Sequence, residues 1–68
     1  MPFVNIKITK EGATAEQNEK LIAGATDLLA NVLGEKKRAT TFVIIEEVET
    51  DNWGIAGESV TNRRKKGL

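Results

Sequence analysis

Residues 42–45 read Phe-Val-Ile-Ile, so a strand built from them presents apolar side chains on both of its faces. A continuous apolar strand is normally covered on both sides. The rest of the chain offers one long amphipathic helix, and a single helix layer covers only one face of a sheet. We therefore expect the other face to meet a second subunit, which makes the protein an oligomer.

The length of 68 residues also favours association. A single domain this short buries only about 60% of the surface that its unfolded chain exposes, and small folds are usually held by disulfides, metal or oligomerisation. The sequence has no Cys and no His, which rules out disulfides, the usual zinc ligand sets and Ser-His-Asp or Cys-His catalysis. Any acid–base chemistry must then use carboxylates, lysines or an N-terminal amine.

The formal net charge is zero, so no overall field attracts nucleic acid. No signal peptide or membrane-spanning run is apparent, and we expect a soluble cytoplasmic protein without a membrane partner. The basic run at residues 63–66 could contact RNA, an anionic surface or an anionic substrate. Because no aromatic residue is interleaved with it, we interpret it as part of a frayed, mobile tail over about residues 61–68.

The order of elements predicts an α+β domain over residues 1–68. Residues 3–9 alternate as a strand with one apolar face. A helix is predicted over 15–33, and a second strand over 40–48. Strand–helix–strand units are parallel and right-handed in nearly all cases, so we expect β-α-β with the helix on one face.

Local signals define the ends of these elements. Thr14 and Gln17 have the spacing of a capping box at the helix start, and Gly34 suits the residue that ends the helix. Glycines at 54 and 57 predict a short hairpin. Trp53, the single tryptophan, precedes this hairpin as either a packing anchor or the wall of a pocket.

Pro2 has two interpretations. Proline is tolerated as the first residue of a strand, because its missing backbone N–H disturbs the hydrogen bonding of the sheet least at that position. If Met1 is removed, however, the Pro2 nitrogen is a secondary amine, and an amine with a pKa near neutral can accept a proton from a carbon acid. The residue alone does not decide between them.

Taken together, these features resemble the 4-oxalocrotonate tautomerase family. The landmarks follow in the family's order: Pro2, a Glu-Gly turn at 11–12, a helix opening near 16–17, Val-Ile-Ile at 43–45, and Trp-Gly-Ile-Ala-Gly-Glu at 53–58. The last segment combined with Pro2 is the specific part. The resemblance implies the β-α-β tautomerase fold with a short C-terminal hairpin, dimers with a four-stranded sheet, and a homohexamer formed as a trimer of dimers.

The resemblance also implies a chemistry that needs no cofactor and no metal. After Met1 is removed, Pro2 would act as general base and then general acid between an enol and a 2-oxo acid, such as 2-hydroxymuconate or phenylenolpyruvate. Trp53 stands where the family has an active-site phenylalanine, and with Phe3 it would form the pocket wall. An apolar wall favours the neutral amine, because desolvation opposes its charged form.

Two family arginines are missing, since their positions hold Ala13 and Phe42. We expect Phe42 to contact substrate as an apolar residue instead. Lys10 and Arg38 are candidate substitutes for the missing charge, each with ordinary surface charge as the equal alternative.

Three further possibilities remain open from the sequence. Arg63 and Arg64 of a neighbouring chain could reach the pocket. The activity could be hydration, dehalogenation or decarboxylation of related acids. The chain could also be a non-catalytic oligomeric binding module that keeps the scaffold, which the loss of both arginines favours.

Overall fold

A computed structural model describes residues 1–67 and has the expected α+β organisation. Its elements in chain order are β1 (Phe3–Thr9), α1 (Ala15–Leu33), a 3₁₀ helix (Glu35–Thr40), β2 (Phe42–Val48), a 3₁₀ turn (Thr50–Asn52), β3 (Gly54–Ile55), β4 (Glu58–Ser59) and α2 (Val60–Lys65). The predicted β-α-β order with a C-terminal hairpin is confirmed.

β1 and β2 pair in parallel, with Phe3 opposite Phe42 and Thr9 opposite Val48. Side chains alternate between the faces of a strand, so these four residues and every second residue between them share one face of the sheet. The other face carries Val4, Ile6, Ile8, Val43, Ile45 and Glu47. Helix α1 packs against β2. Within residues 1–67, each of the two strands has only the other as a neighbour, which leaves both outer edges unpaired.

The capping box at the start of α1 is present as predicted. The Gln17 N–H donates to the Thr14 hydroxyl at 3.1 Å, and the Thr14 N–H donates to the Gln17 side-chain carbonyl at 2.9 Å. The helix ends at Gly34, whose φ of +110° suits glycine. Both ends of α1 were therefore predicted correctly.

β2 begins at Phe42, two residues later than the sequence predicts. Thr40 and Thr41 instead close the 3₁₀ segment, because their hydroxyls donate to the Lys37 carbonyl at 3.3 and 2.7 Å. Threonine can satisfy a nearby backbone carbonyl in this way, and that local bond competes with strand pairing.

The predicted hairpin is also present, formed by β3 and β4. Its turn residues Ala56 and Gly57 have φ of +53° and +84°. Two positive φ values in succession are those of a type I′ turn, which matches the twist of two paired strands.

The C-terminal tail, for which we expect mobility from about residue 61, contains a short helix. This is α2, whose first turn is capped by the Ser59 hydroxyl accepting from the Asn62 N–H at 3.1 Å. Thr61 adds a bond to the Asp51 carboxylate at 2.5 Å. The expectation of a mobile tail also covered Leu68, which lies outside the described residues.

The isolated chain has almost no interior. Among the described residues, Ala30 and Val60 are the only buried hydrophobic ones. The radius of gyration is 15.4 Å, whereas a compact domain of this length has about 11 Å. On the sheet face away from α1, Phe3 is 61% exposed, Phe42 53% and Ile44 43%.

Across residues 1–67, neither helix combines the length and apolar character needed to span a bilayer.

Candidate functional site

A cavity of about 400 Å³ lies at the end of the sheet where β1 finishes. Part of its lining is apolar and part is positively charged. The residues that line it are Thr9, Trp53, Ile55, Val60, Arg63 and Arg64. It therefore combines the end of a strand, the hairpin and the short C-terminal helix.

Helix α2 is fixed to the hairpin by two features at its start. The Val60 N–H donates to the Trp53 carbonyl at 2.8 Å, and the Val60 side chain is only 7% exposed. Residues three and four apart lie on one side of a helix, so Val60 fixes the side that also carries Arg63 and Arg64. Both guanidinium groups are thereby placed at the cavity.

Arg64 is held by a carboxylate from the turn after β1. Its guanidinium Nη1 lies 2.6 Å from Glu11 Oε1, and the Thr9 hydroxyl donates to the other oxygen of Glu11. The hydrogen bond from Arg64, followed by that from Thr9, lowers the pKa of Glu11 below its ordinary value. The same contact raises the pKa of Arg64, so this pair stays ionised at neutral pH.

Arg63 has a much weaker partner. Its Nη1 lies 4.0 Å from Glu58 Oε1, the outer limit for an ion pair, and its side chain is 31% exposed. Lys66 Nζ already contacts the second oxygen of Glu58. The Arg63 guanidinium is therefore a partly buried cation whose donors are largely uncommitted among the described residues.

Pro2 and Phe42 lie together at the opposite end of the sheet. The Phe42 N–H donates to the Pro2 carbonyl at 2.9 Å, and Pro2 itself is half-buried. Thr9 lies seven residue steps along the strand from Pro2, which at 3.3 Å per residue is about 23 Å. Pro2 and the Trp53 cavity of the same chain are therefore too far apart to act on one small molecule.

The two candidate cations from the sequence are both occupied by carboxylates. Lys10 Nζ lies 3.3 Å from Glu49 Oε1 on the exposed surface. Arg38 lies between two partners, with Nε at 2.6 Å from Glu35 and Nη1 at 2.6 Å from Asp27. These bonds, with Glu35 the larger contribution, raise the pKa of Arg38.

Ala13, where the resemblance places a missing arginine, lines a second cavity of about 390 Å³. This cavity lies over the first turns of α1, and its other lining residues are Gln17, Lys20 and Leu21. The cation among these described lining residues is Lys20, which forms an exposed pair with Glu16 at 3.5 Å.

Ile55 and Val60 are lining residues that the sequence did not suggest. The sequence contains one signal for them, because Ser59 is a typical N-cap residue and stands three positions before Asn62. That signal would have predicted α2, with residues 60, 63 and 64 on one side of the helix. Over residues 1–67 there is no cluster of three acidic residues arranged to hold a metal ion.

A model of the tautomerase family, described as tautomerase enzyme, matches residues 2–63. A protein of Dickeya dadantii strain 3937 named Probable tautomerase K2 is 70% identical over 66 residues, which cover 97% of each chain. The crystal structure of DmpI from Helicobacter pylori superposes with a TM-score of 0.85 at 47% identity, covering 94% of this chain and 97% of that one. A crystal structure described as YwhB, a homologue of 4-oxalocrotonate tautomerase, has a TM-score of 0.78 at 28% identity, covering 90% and 97%.

Proposed function

This chain belongs to the tautomerase family of isomerases, and from that premise we propose that it interconverts the enol and keto forms of a small 2-oxo acid with Pro2 as the proton carrier. The observation that carries the proposal is the position of Pro2. It is the first residue of the family match and stands directly before β1, at an end of the sheet flanked by the exposed rings of Phe3 and Phe42.

Removal of Met1 is the step that makes Pro2 reactive. The Pro2 nitrogen is then a secondary amine rather than an amide. When apolar side chains cover it, desolvation lowers the pKa of such an amine and favours the neutral, proton-accepting form. The rings of Phe3 and Phe42 are available for this role once the sheet face is covered.

The site is composite in this proposal. A second copy that pairs antiparallel with the free edge of β1 brings its own Pro2 beside the Thr9 end of the first strand. Pro2 of one copy then lies about 5 Å from the Thr9 end of the other copy, whereas Pro2 and Thr9 of the same chain are about 23 Å apart. Twofold symmetry produces two such sites, each with Pro2 from one copy and Trp53 from the other.

The proton transfer needs no further reactant. The Pro2 nitrogen accepts the proton of the enol hydroxyl, and the electron pair of that O–H bond forms the carbonyl. The electrons of the C=C bond then take the proton back from the pyrrolidinium nitrogen, so a C–H bond forms and the amine is regenerated. General acid–base catalysis of this kind typically contributes about 10²- to 10⁴-fold.

The substrate we favour is a monocarboxylate with an aromatic or other apolar group, such as phenylenolpyruvate. The apolar part of the cavity, formed by Trp53, Ile55 and Val60, supports this choice. The absence of arginine at Ala13 and Phe42 makes efficient turnover of the dicarboxylate 2-hydroxymuconate less favourable.

We expect the assembly to be a homohexamer built from three such dimers. The apolar sheet face and the large radius of gyration support association. The six-subunit stoichiometry rests on the family resemblance.

The test is Pro2→Ala, with removal of Met1 verified by mass spectrometry in both proteins. The variant should lose at least about 100-fold in kcat/KM for ketonisation of phenylenolpyruvate. Its assembly size, measured by light scattering, should match that of the parent. A variant that tautomerises the enol as fast as the parent would exclude Pro2 as the base.

A further inference from the structure

The cavity beside Trp53 contains two arginines in different electrostatic states. Arg64 forms a close pair with Glu11 at 2.6 Å, and Thr9 also donates to that carboxylate. Arg63 is 4.0 Å from its acidic neighbour Glu58. One of the two cations is therefore committed to the fold, and the other is available to a ligand.

The neighbouring acid does not cancel the charge of Arg63. Lys66 Nζ contacts Glu58 Oε2, so Arg63 and Lys66 together supply two positive charges against one carboxylate. The local balance at this side of the cavity is thus positive. An incoming anion meets a net attraction, and the Arg63 guanidinium can donate hydrogen bonds to it.

The shape of the cavity adds a second requirement. Trp53, Ile55 and Val60 form an apolar surface next to Arg63. A ligand that matches both parts carries one carboxylate and one apolar or aromatic group. Arginine suits the carboxylate well, because its planar donors can bind both oxygens at once.

We propose that Arg63 is the carboxylate-binding residue of this chain, and that it holds an apolar monocarboxylate against Trp53. The inference rests on the proposed function in one respect, because it takes the bound monocarboxylate to be the substrate of the proposed reaction. It assigns the missing positive charge to α2, whereas the family arginines stand before and after α1. Lys10 and Arg38 fit this role less well, because each is already paired with a carboxylate.

The binding test uses the fluorescence of Trp53, the single tryptophan of the chain. The assembled protein is titrated with phenylacetate and, separately, with its neutral analogue phenylacetamide. Arg63→Met keeps an apolar stem and removes the charge, and it should weaken phenylacetate binding about tenfold or more. Binding of phenylacetamide should change less than twofold.

The matched control is Lys65→Met, the same substitution at an exposed cation of the same helix that does not line the cavity. It should leave phenylacetate affinity unchanged. Equal losses in Lys65→Met and Arg63→Met would overturn the assignment, because the effect would then be one of general charge. A loss in Arg64→Met without one in Arg63→Met would overturn it as well.

Two measurements keep the test decisive if Arg63→Met does not assemble. Arg63→Lys keeps the charge but not the planar donors, and it should bind phenylacetate at an intermediate affinity. The unmodified protein should bind phenylacetate at least tenfold more tightly than phenylacetamide. Equal affinity for the two ligands would refute the proposal.

Pro2→Ala separates this inference from the proposed function. It should abolish turnover and leave phenylacetate binding intact. Full activity in Pro2→Ala would refute the proposed base while the Arg63 site stands. Inactive Pro2→Ala together with unchanged binding in Arg63→Met would refute the carboxylate site alone.

Discussion

The guanidinium of Arg64 and the carboxylate of Glu11 meet at 2.6 Å although 53 positions separate them, from 11 to 64, in the sequence. Their contact joins the C-terminal helix α2 to the turn that follows β1. Through it the hairpin, α2 and the strand end are held around a common cavity.

Glu11→Gln should loosen this connection. The substitution removes the charge that Arg64 contacts, so we expect a modest fall in Tm, at most about 4 °C, because the pair is exposed. Trp53 emission should shift towards longer wavelength as the hairpin becomes more accessible. Glu19→Gln, the same change at an exposed site on α1, should alter neither, and a Tm of Glu11→Gln equal to the parent's would contradict the role of the pair.

Acid should weaken the same connection. The hydrogen bonds from Arg64 and Thr9 lower the pKa of Glu11 below its ordinary value of 4.5. A carboxyl whose pKa is lowered by folding contributes stability above its unfolded pKa, and that contribution is lost as the pH falls through the lowered value. The Tm should therefore drop as the pH is taken from 6 to 3, and Glu11→Gln should show a smaller drop over that interval.

Glu46 adds to the same acid sensitivity from the sheet. Lys7 and then Asn5 lower its pKa through hydrogen bonds at 2.9 and 2.7 Å. The Tm of Glu46→Gln, measured from pH 6 to pH 3, shows how much of the fall in Tm comes from Glu46. If both glutamine variants kept the full pH dependence of the parent, neither carboxylate would be its source.

Ile44→Lys should disrupt the assembly. Ile44 lies on the sheet face away from α1 with 43% of its surface exposed, and a lysine there would bury a charge in any interface that covers the face. The Ile44→Lys variant should dissociate even at concentrations tenfold higher than the lowest at which the parent stays assembled. Light scattering on both proteins measures the difference. Asn31→Lys adds the same charge on α1 and should leave the size unchanged; an intact Ile44→Lys assembly would show that this face is not an interface.

Substrate preference should follow from the different pairing of the two arginines at the cavity. Arg64 is paired with Glu11, so within residues 1–67 the cavity offers Arg63 to one carboxylate and no comparable cation to a second. We expect kcat/KM for phenylenolpyruvate to exceed that for 2-hydroxymuconate by about tenfold or more. Steady-state kinetics with both enols measures the ratio, and an efficiency on the dicarboxylate equal to that of an arginine-bearing family member would contradict it.

Local signals in the sequence predicted the β-α-β unit well. These signals are the capping box of Thr14 and Gln17, the glycine at 34 and the alternation in β1. Each involves residues that are close together in the chain, so it can be recognised from one sequence. The start of β2 was placed two residues early, because the hydroxyls of Thr40 and Thr41 favour a 3₁₀ turn over strand pairing.

The site was less predictable because its contacts are long-range. Arg38 stays a candidate ligand predicted from its position before β2, and its ion pair with Asp27 of α1 is a contact that the sequence could not indicate. The basic residues at 63–66 were interpreted as a frayed terminus, although Ser59 caps a helix there. Neither the close pairing of Arg64 with Glu11 nor the longer, 4.0 Å contact of Arg63 with Glu58 can be derived from composition or spacing.

The near absence of buried side chains in one copy has a consequence for how the protein is made. From so little interior we expect the chain to gain most of its hydrophobic stabilisation when it meets a second copy, with folding and association as one bimolecular event. Its melting temperature should then rise with protein concentration, and dilution alone should unfold it. On the same expectation, newly made chains should be most vulnerable to proteases when they are scarce, and abundance itself should protect the protein.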